Sequence, residues 1–225
     1  MEKKGMIAEL WPIDAFLSRG AEADLYKTKF LGEDAVLKLR IKKDYRNDLL
    51  DRAIRTRRTS REVAVLNRAK RAGLRVPFVR YVDAENCLFV MEYLNGTLLR
   101  KALINGEVEW RDIAARMGED IALIHDVGVV HGDLTTSNVM IADGDLAYFD
   151  FGLGEISMEV EKRAVDLELL YRVMHSTHPE IEKGFFRIFT DEYVNTLDRG
   201  FEVVKRYRSI RRMGRYVPRE KRKKP

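Results

Sequence analysis

Two aspartates seventeen residues apart, Asp133 and Asp150, constrain this 225-residue chain more than any other feature. Asp133 stands in His131-Gly132-Asp133-Leu134-Thr135-Thr136-Ser137-Asn138, and Asp150 opens Asp150-Phe151-Gly152. Between them Val139–Ile141 and Leu146–Phe149 bracket Asp143-Gly144, which reads as a short β-hairpin. The two carboxylates therefore flank one compact unit of loop, hairpin and loop.

The first segment fits H-x-D-L-x-x-x-N and the second D-F-G, the paired catalytic motifs of protein kinases. Phosphoryl transfer needs positioning and charge neutralisation more than covalent help, which explains the residue types. Asp133 is expected to accept the attacking proton. Asn138 and Asp150 are expected to hold the Mg2+ (or Mn2+) that bridges the phosphates of ATP. Lys38, in Ala35-Val36-Leu37-Lys38, falls where V-A-I-K places its phosphate-binding lysine. Glu62, the one acidic residue in the later half of a long charged helix, is the expected orienter of that lysine.

Other nucleotide contacts follow by position. Leu17-Ser18-Arg19-Gly20-Ala21-Glu22-Ala23 occupies the place of the Gly-rich phosphate loop, although only Gly20 remains of G-x-G-x-x-G. Backbone N–H groups there can still cover phosphate, in a stiffer turn. Glu22 suits a triphosphate poorly, and a contact with the long helix is its alternative. Met91-Glu92-Tyr93-Leu94 joins strand-rich to helix-rich sequence. The Glu92 carbonyl and Leu94 N–H are expected at the adenine edge, with Met91 at the back of the pocket.

The organisation agrees with a minimal bilobal α+β kinase-like fold. Ala23–Phe30 and Ala35–Leu39 alternate around the turn Leu31–Asp34, and Val79–Val82 and Cys87–Met91 read as two more strands of a five-stranded sheet. Asn47–Ala72 reads as a helix with apolar positions at Leu50, Ile54, Val63 and Leu66, stopped by Gly73. Trp110–Val127 places Ile113, Met117, Ile121 and Ile124 on one face, and helices dominate from Glu159 to Met213. The expected parts are an N-lobe over 1–94, a C-lobe over 95–212 and a basic tail over 213–225. Lone His125 and His178 read as core or surface residues, and His131 as a brace for the catalytic loop.

Charge is strongly polarised. The net charge is +5, but Arg199–Pro225 carries twelve basic and two acidic residues, and Lys38–Arg71 thirteen and four. Such asymmetry points to an anionic partner, most simply nucleic acid. Cys87 is the single cysteine, which excludes an intramolecular disulfide and fits a cytoplasmic setting. No apolar run is long enough to span a membrane.

The chain departs from ordinary protein kinases. Gly132 replaces the arginine of H-R-D that answers a phosphorylated activation loop, Thr135 stands where many Ser/Thr kinases place a lysine, and only thirteen residues separate Gly152 from Asp166. A peptide-binding platform does not fit in so short a segment. A slow kinase or ATPase that depends on a partner is expected.

With these residues the chain resembles the small atypical kinase subunit of the KEOPS (EKC) complex, the p53-related protein kinase family. The most specific matches are Arg19–Ala23, Arg58-Thr59-Ser60-Arg61-Glu62, Met91-Glu92-Tyr93, His131–Asn138, Asp150–Gly154 and Val165-Asp166-Leu167. The resemblance implies autophosphorylation on Ser/Thr, ATP hydrolysis, and service in threonylcarbamoyladenosine modification of tRNA. It implies as partners the threonylcarbamoyl-transferase subunit and a small subunit on the N-lobe. By motif matching Lys38, Glu62, Asp133, Asn138 and Asp150 take the family's phosphate, orienting, base and metal roles, and Asp166 matches an aspartate that supports the catalytic loop. The tail then gains tRNA, with Arg208, Arg211, Arg212 and Arg215 as contacts and Tyr207 and Tyr216 as stacking platforms.

Three other readings compete. A RIO-type kinase of ribosome maturation also lacks an activation platform, but Thr135-Thr136-Ser137 and the short C-lobe weigh against it. A small-molecule phosphotransferase calls for an acidic pocket and a larger insert after Asp166. A non-catalytic, nucleotide-gated scaffold would survive loss of Asp133.

Overall fold

The computed structural model describes residues 11–215. In chain order its elements begin with strands β1 (Ile13–Arg19), β2 (Ala23–Phe30) and β3 (Glu33–Arg40), helix α1 (Asp48–Arg71), and strands β4 (Val79–Asp83) and β5 (Leu88–Glu92). The five strands form one antiparallel sheet in the order β1-β2-β3-β5-β4. The β2–β3 turn is tighter than the sequence reading expects. It has only two residues, Leu31 and Gly32, both at positive φ (50° and 88°), and Glu33 and Asp34 are already in the strand. Positive φ at both positions gives the twist that a two-residue hairpin needs.

Helix α1 starts on the Asn47 side chain, which accepts from the Leu49 N–H at 3.0 Å, and ends before Gly73 at φ +98°. Its buried face is the expected one only in part, at Leu66. Leu50 is exposed, while Ile54 and Val63 are only half-buried. Asp51, Arg55, Thr59, Glu62, Val65, Leu66 and Ala69 face inward instead. The first half of α1 thus seats on ion pairs, with Arg55 Nε donating to Asp51 at 2.6 Å, and only the second half on apolar contact. Hydrophobic periodicity misplaces such a helix because its inward groups are charged and paired.

The C-terminal part adds β6 (Thr97–Leu98), α2 (Leu99–Ile104), α3 (Trp110–Asp126), β7 (Val129–Val130), β8 (Val139–Ala142), β9 (Asp145–Tyr148), β10 (Glu155–Ile156), α4 (Val160–Thr177), α5 (Glu182–Thr196) and α6 (Gly200–Arg215). The β8–β9 hairpin turns on Asp143 and Gly144, both at positive φ, as its sequence predicts. One apolar core runs from α1 (Val65, Leu66, Ala69) through Phe89 and Leu134 to the α3, α4, α5 and α6 side chains Ile121, Leu167, Phe185 and Val204. A smaller cluster, Tyr26, Ala35, Leu37, Leu88 and Val90, covers the other face of the sheet. Strand parity thereby sends Ala35, Leu37 and Leu39 to one side of β3, and Val36, Lys38 and Arg40 to the other. None of the described helices is long and apolar enough to cross a membrane.

Candidate active site

Lys38, on the inward face of β3, is 6% exposed and bridges two distant carboxylates. Its Nζ donates to Glu62 Oε1 at 2.6 Å and to Asp150 Oδ1 at 2.8 Å. Residues from β3, α1 and the end of the β8–β9 hairpin thus meet at one ammonium. Burial works against the Lys38 charge, but Glu62 and Asp150 outweigh it and hold the ammonium above its usual range. Partial loss of water likewise pushes the half-exposed Asp150 carboxyl up, while the Lys38 charge and hydrogen bond, with the Gly152 N–H, bring it below the usual value.

The catalytic loop is braced from beneath. Asp166 on α4 is fully buried and accepts from the backbone N–H groups of His131 at 2.6 Å and Gly132 at 2.8 Å. His125 joins Asp166 (3.3 Å) to the Tyr193 hydroxyl (2.7 Å), and His178 meets Thr136 at 3.3 Å, so of the two places the sequence left open to these histidines, core or surface, both take the core. His131 stacks on Phe151 with ring centroids 4.2 Å apart, and its Nδ1 accepts from the Asp133 N–H at 3.3 Å. Burial lowers the pKa of both His125 and His131 despite the neighbouring carboxylates, which favours the neutral ring in each.

Asn138 closes the loop on itself. Its Nδ2 donates to the Asp133 carbonyl at 2.9 Å and to Asp133 Oδ2 at 3.0 Å. That leaves the amide oxygen outside the pair. The segment after Asp150-Phe151-Gly152 turns at once into β10, which pairs with β7 directly before the catalytic loop.

A cavity of about 280 Å³ opens between these parts, lined by Ser18, Gly20, Ala21, Glu22, Ala23, Lys38, Asp133, Asp150, Leu25, Arg40, Gly152 and Leu153. Most of the expected phosphate loop is therefore brought over the lysine and aspartates. Leu17 and Arg19 are not among the lining residues; Arg19 pairs with Asp24 at 2.8 Å. Glu22 reaches α1, with its carboxylate 2.5 Å from Arg58. The turn is further closed by the Gly20 N–H donating to the Ala23 carbonyl at 2.8 Å. Met91, Glu92 and Leu94 lie on and just beyond β5, half-buried and outside the cavity lining. The Glu92 carboxylate is held by Arg75 at 2.6 and 2.8 Å.

The tail residues fare differently. Arg208 and Arg212 are exposed on α6, but Arg211 packs over the Tyr171 ring, 3.6 Å from its centroid, and hydrogen-bonds the Tyr171 hydroxyl. Tyr207 is 3% exposed, stacked on Phe186, so it offers no platform for a base. The apolar seam of α6 claims both. The Arg215 side chain, Tyr216 and the rest of the tail, like residues 1–10, lie outside the described residues.

Sequence reasoning missed Arg40. It is 3% exposed, lines the cavity, and donates to Glu62 Oε2 at 2.6 Å. The signal was its i+2 spacing from Lys38, which on a strand means the same face.

A two-part fold whose cleft gathers a strand lysine, a helix glutamate and the two motif aspartates defines a protein-kinase-like protein. The protein kinase domain family matches residues 19–174. KEOPS complex subunit Bud32 of Pyrococcus abyssi is 39% identical over 89% of this chain and 95% of that protein. The chain belongs to this family of KEOPS kinase subunits. It is also 38% identical to the probable bifunctional tRNA threonylcarbamoyladenosine biosynthesis protein of Methanothermobacter thermautotrophicus, over 89% of this chain but only 36% of that protein, so it spans about a third of the bifunctional relative. Among solved structures, the Rio2 kinase–ADP/Mg2+–phosphoaspartate complex of Chaetomium thermophilum superposes with a TM-score of 0.60, covering 96% of this chain and 75% of that one. At 15% identity that likeness shows the fold alone.

Proposed function

We propose that this chain is an atypical serine/threonine kinase and ATPase that serves threonylcarbamoyladenosine modification of tRNA as a subunit of a cytoplasmic KEOPS complex. The observation that carries the reading is the Lys38 ammonium held between Glu62 and Asp150 beneath the Ser18–Ala23 turn. A buried lysine so placed can contact phosphate oxygens without searching for a rotamer, because Glu62 fixes it. The curated relatives favour KEOPS over the RIO alternative, which rests on fold alone.

The residues fit ATP with Mg2+ or Mn2+. Asn138 keeps its amide oxygen outside the bond to Asp133, and the Asp150 side chain is half exposed (52%), so both can offer oxygen to a hard cation. When bound, the metal would neutralise charge on the phosphates. Asp133, oriented by the Asn138 amide, would take the proton from a hydroxyl or water entering beside the cavity. Lys38 would hold the phosphate oxygens, and the Glu92 carbonyl and Leu94 N–H the adenine edge. The relatives' names speak only of membership in a KEOPS complex; the partners taken in this reading are the transferase subunit and a small N-lobe subunit, with tRNA met by Arg208, Arg212 and the residues beyond.

Labelled γ-phosphate followed into protein and into free phosphate, with and without the transferase subunit and tRNA, tests this. Asp133→Ala is expected to abolish both outputs while ATP affinity stays within about threefold. Undiminished phosphate release would overturn the enzymatic reading and leave the scaffold.

A further inference from the structure

Arg40 is a second buried cation at the same cavity, and nothing in the motif pattern assigns it. The residue is only 3% exposed, yet its buried Nε has no hydrogen-bond partner among the described residues. Among the described residues its one charged partner is Glu62, through Oε2, and that carboxylate is already shared with Lys38 Nζ. The remaining contact, to the Arg58 carbonyl, is long at 3.4 Å. Two desolvated cations therefore divide one fully buried carboxylate. The balance is completed by Asp150, whose half-exposed side chain is also the proposed metal ligand. If Asp150 turns to a metal, Lys38 and Arg40 are left with an unmatched positive charge facing the cavity. A buried charge without a partner is costly, so the site calls for an anion there.

Register along β3 says which anion. Val36 lies opposite Met91, at the end of the cleft expected to take adenine. Lys38 lies one pleat further, opposite Leu25, and Arg40 one pleat further still, opposite Ala23 under the roof turn. Each step is roughly 7 Å along the strand. A nucleotide laid from Val36 towards the turn meets Lys38 at its inner phosphates and Arg40 at its outermost one. The roof is fixed at this point, because the Ile41 N–H donates to the Glu22 carbonyl at 3.1 Å.

We infer that Arg40 is a binding residue for the terminal phosphoryl group, reading triphosphate against diphosphate. It supplies from β3 the cation that Thr135 does not supply from the catalytic loop. This rests on the proposed nucleotide site and deepens it.

The test is calorimetric binding of Mg-ATP, Mg-ADP and adenosine to the full chain and to Arg40→Met and Arg40→Lys. Arg40→Met is expected to weaken ATP about tenfold or more, with ADP and adenosine changed less than twofold, because a charge-assisted bond to one phosphoryl group is lost. Arg40→Lys keeps the charge on a shorter stem and is expected to lose severalfold on ATP only. It carries the test if Arg40→Met does not fold. Equal losses on all three ligands would make Arg40 merely structural, and unchanged ATP affinity would likewise overturn the inference. Failure of the unsubstituted chain to bind ATP would instead sink the proposed function.

Discussion

The carbonyl oxygen of Leu153 fills the space that a Cβ on residue 132 would need. Gly132 also sits at φ +78°, a conformation that side chains resist. The absence of the H-R-D arginine is thus a packing requirement of a short segment folded directly onto the catalytic loop. Gly132→Ala is expected to cost about 2–4 kcal/mol from backbone strain plus overpacking. Thermal melting checks the loss, and limited proteolysis should place new cleavage within residues 152–156. A variant as stable as the parent would show that the segment yields freely.

Asp166 holds the catalytic loop through two backbone N–H groups. Asp166→Ala leaves one buried and one part-buried donor without acceptors, at roughly 2–4 kcal/mol. Hydrogen exchange should then accelerate at the His131 and Gly132 amides ahead of the α3 core. Unchanged protection at those two amides would transfer the bracing role to the His131–Phe151 stack.

Asp120 on α3 is 8% exposed, accepts from the Tyr148 hydroxyl at 3.0 Å, and has its pKa raised by burial to about 6. The folded protein therefore keeps a proton that the unfolded chain releases near 3.8. Its contribution is full below that lower value and is lost as pH rises towards 6, with no further change above. Asp120→Asn keeps an acceptor for Tyr148 without the charge. It is expected to be more stable at pH 7 by at most about 3 kcal/mol, with the gain vanishing by pH 4. Chemical denaturation across that range measures it, and a gain independent of pH would contradict the assignment.

Truncation is best made after Arg212, because Arg211 packs on Tyr171 within the α4–α6 seam. Removing 213–225 takes away six basic residues and one acidic residue. The melting temperature is expected to hold, while RNA affinity of the assembled complex falls and its salt slope shrinks by roughly two or more. An unchanged slope would exclude the tail from phosphate contact.

The parts of the candidate site whose placement was legible in the sequence were those that rest on short spacing. Asp133 and Asn138 share one loop, and Asp150 follows a hairpin whose turn is written in Asp143-Gly144. Lys38 was legible because it sits on a strand before a long helix. The face of α1 was not, since Leu50 and Ile54 promised an apolar seam where Asp51, Arg55 and Glu62 are the groups taken inside. Tyr207 failed for the converse reason: a basic tail looked solvated until α4 and α5 covered its aromatic side.

The sequence by itself determined which chemical groups the chain carries and the order in which they come, because local spacing fixes strand, turn and loop. Only the tertiary structure decided which charges lose their water and whom they meet. Burial and pairing are properties of residues far apart in the chain. Glu62 acquires two cations, and Arg40 a place at the cavity, only once β3, α1 and the catalytic loop close on one another.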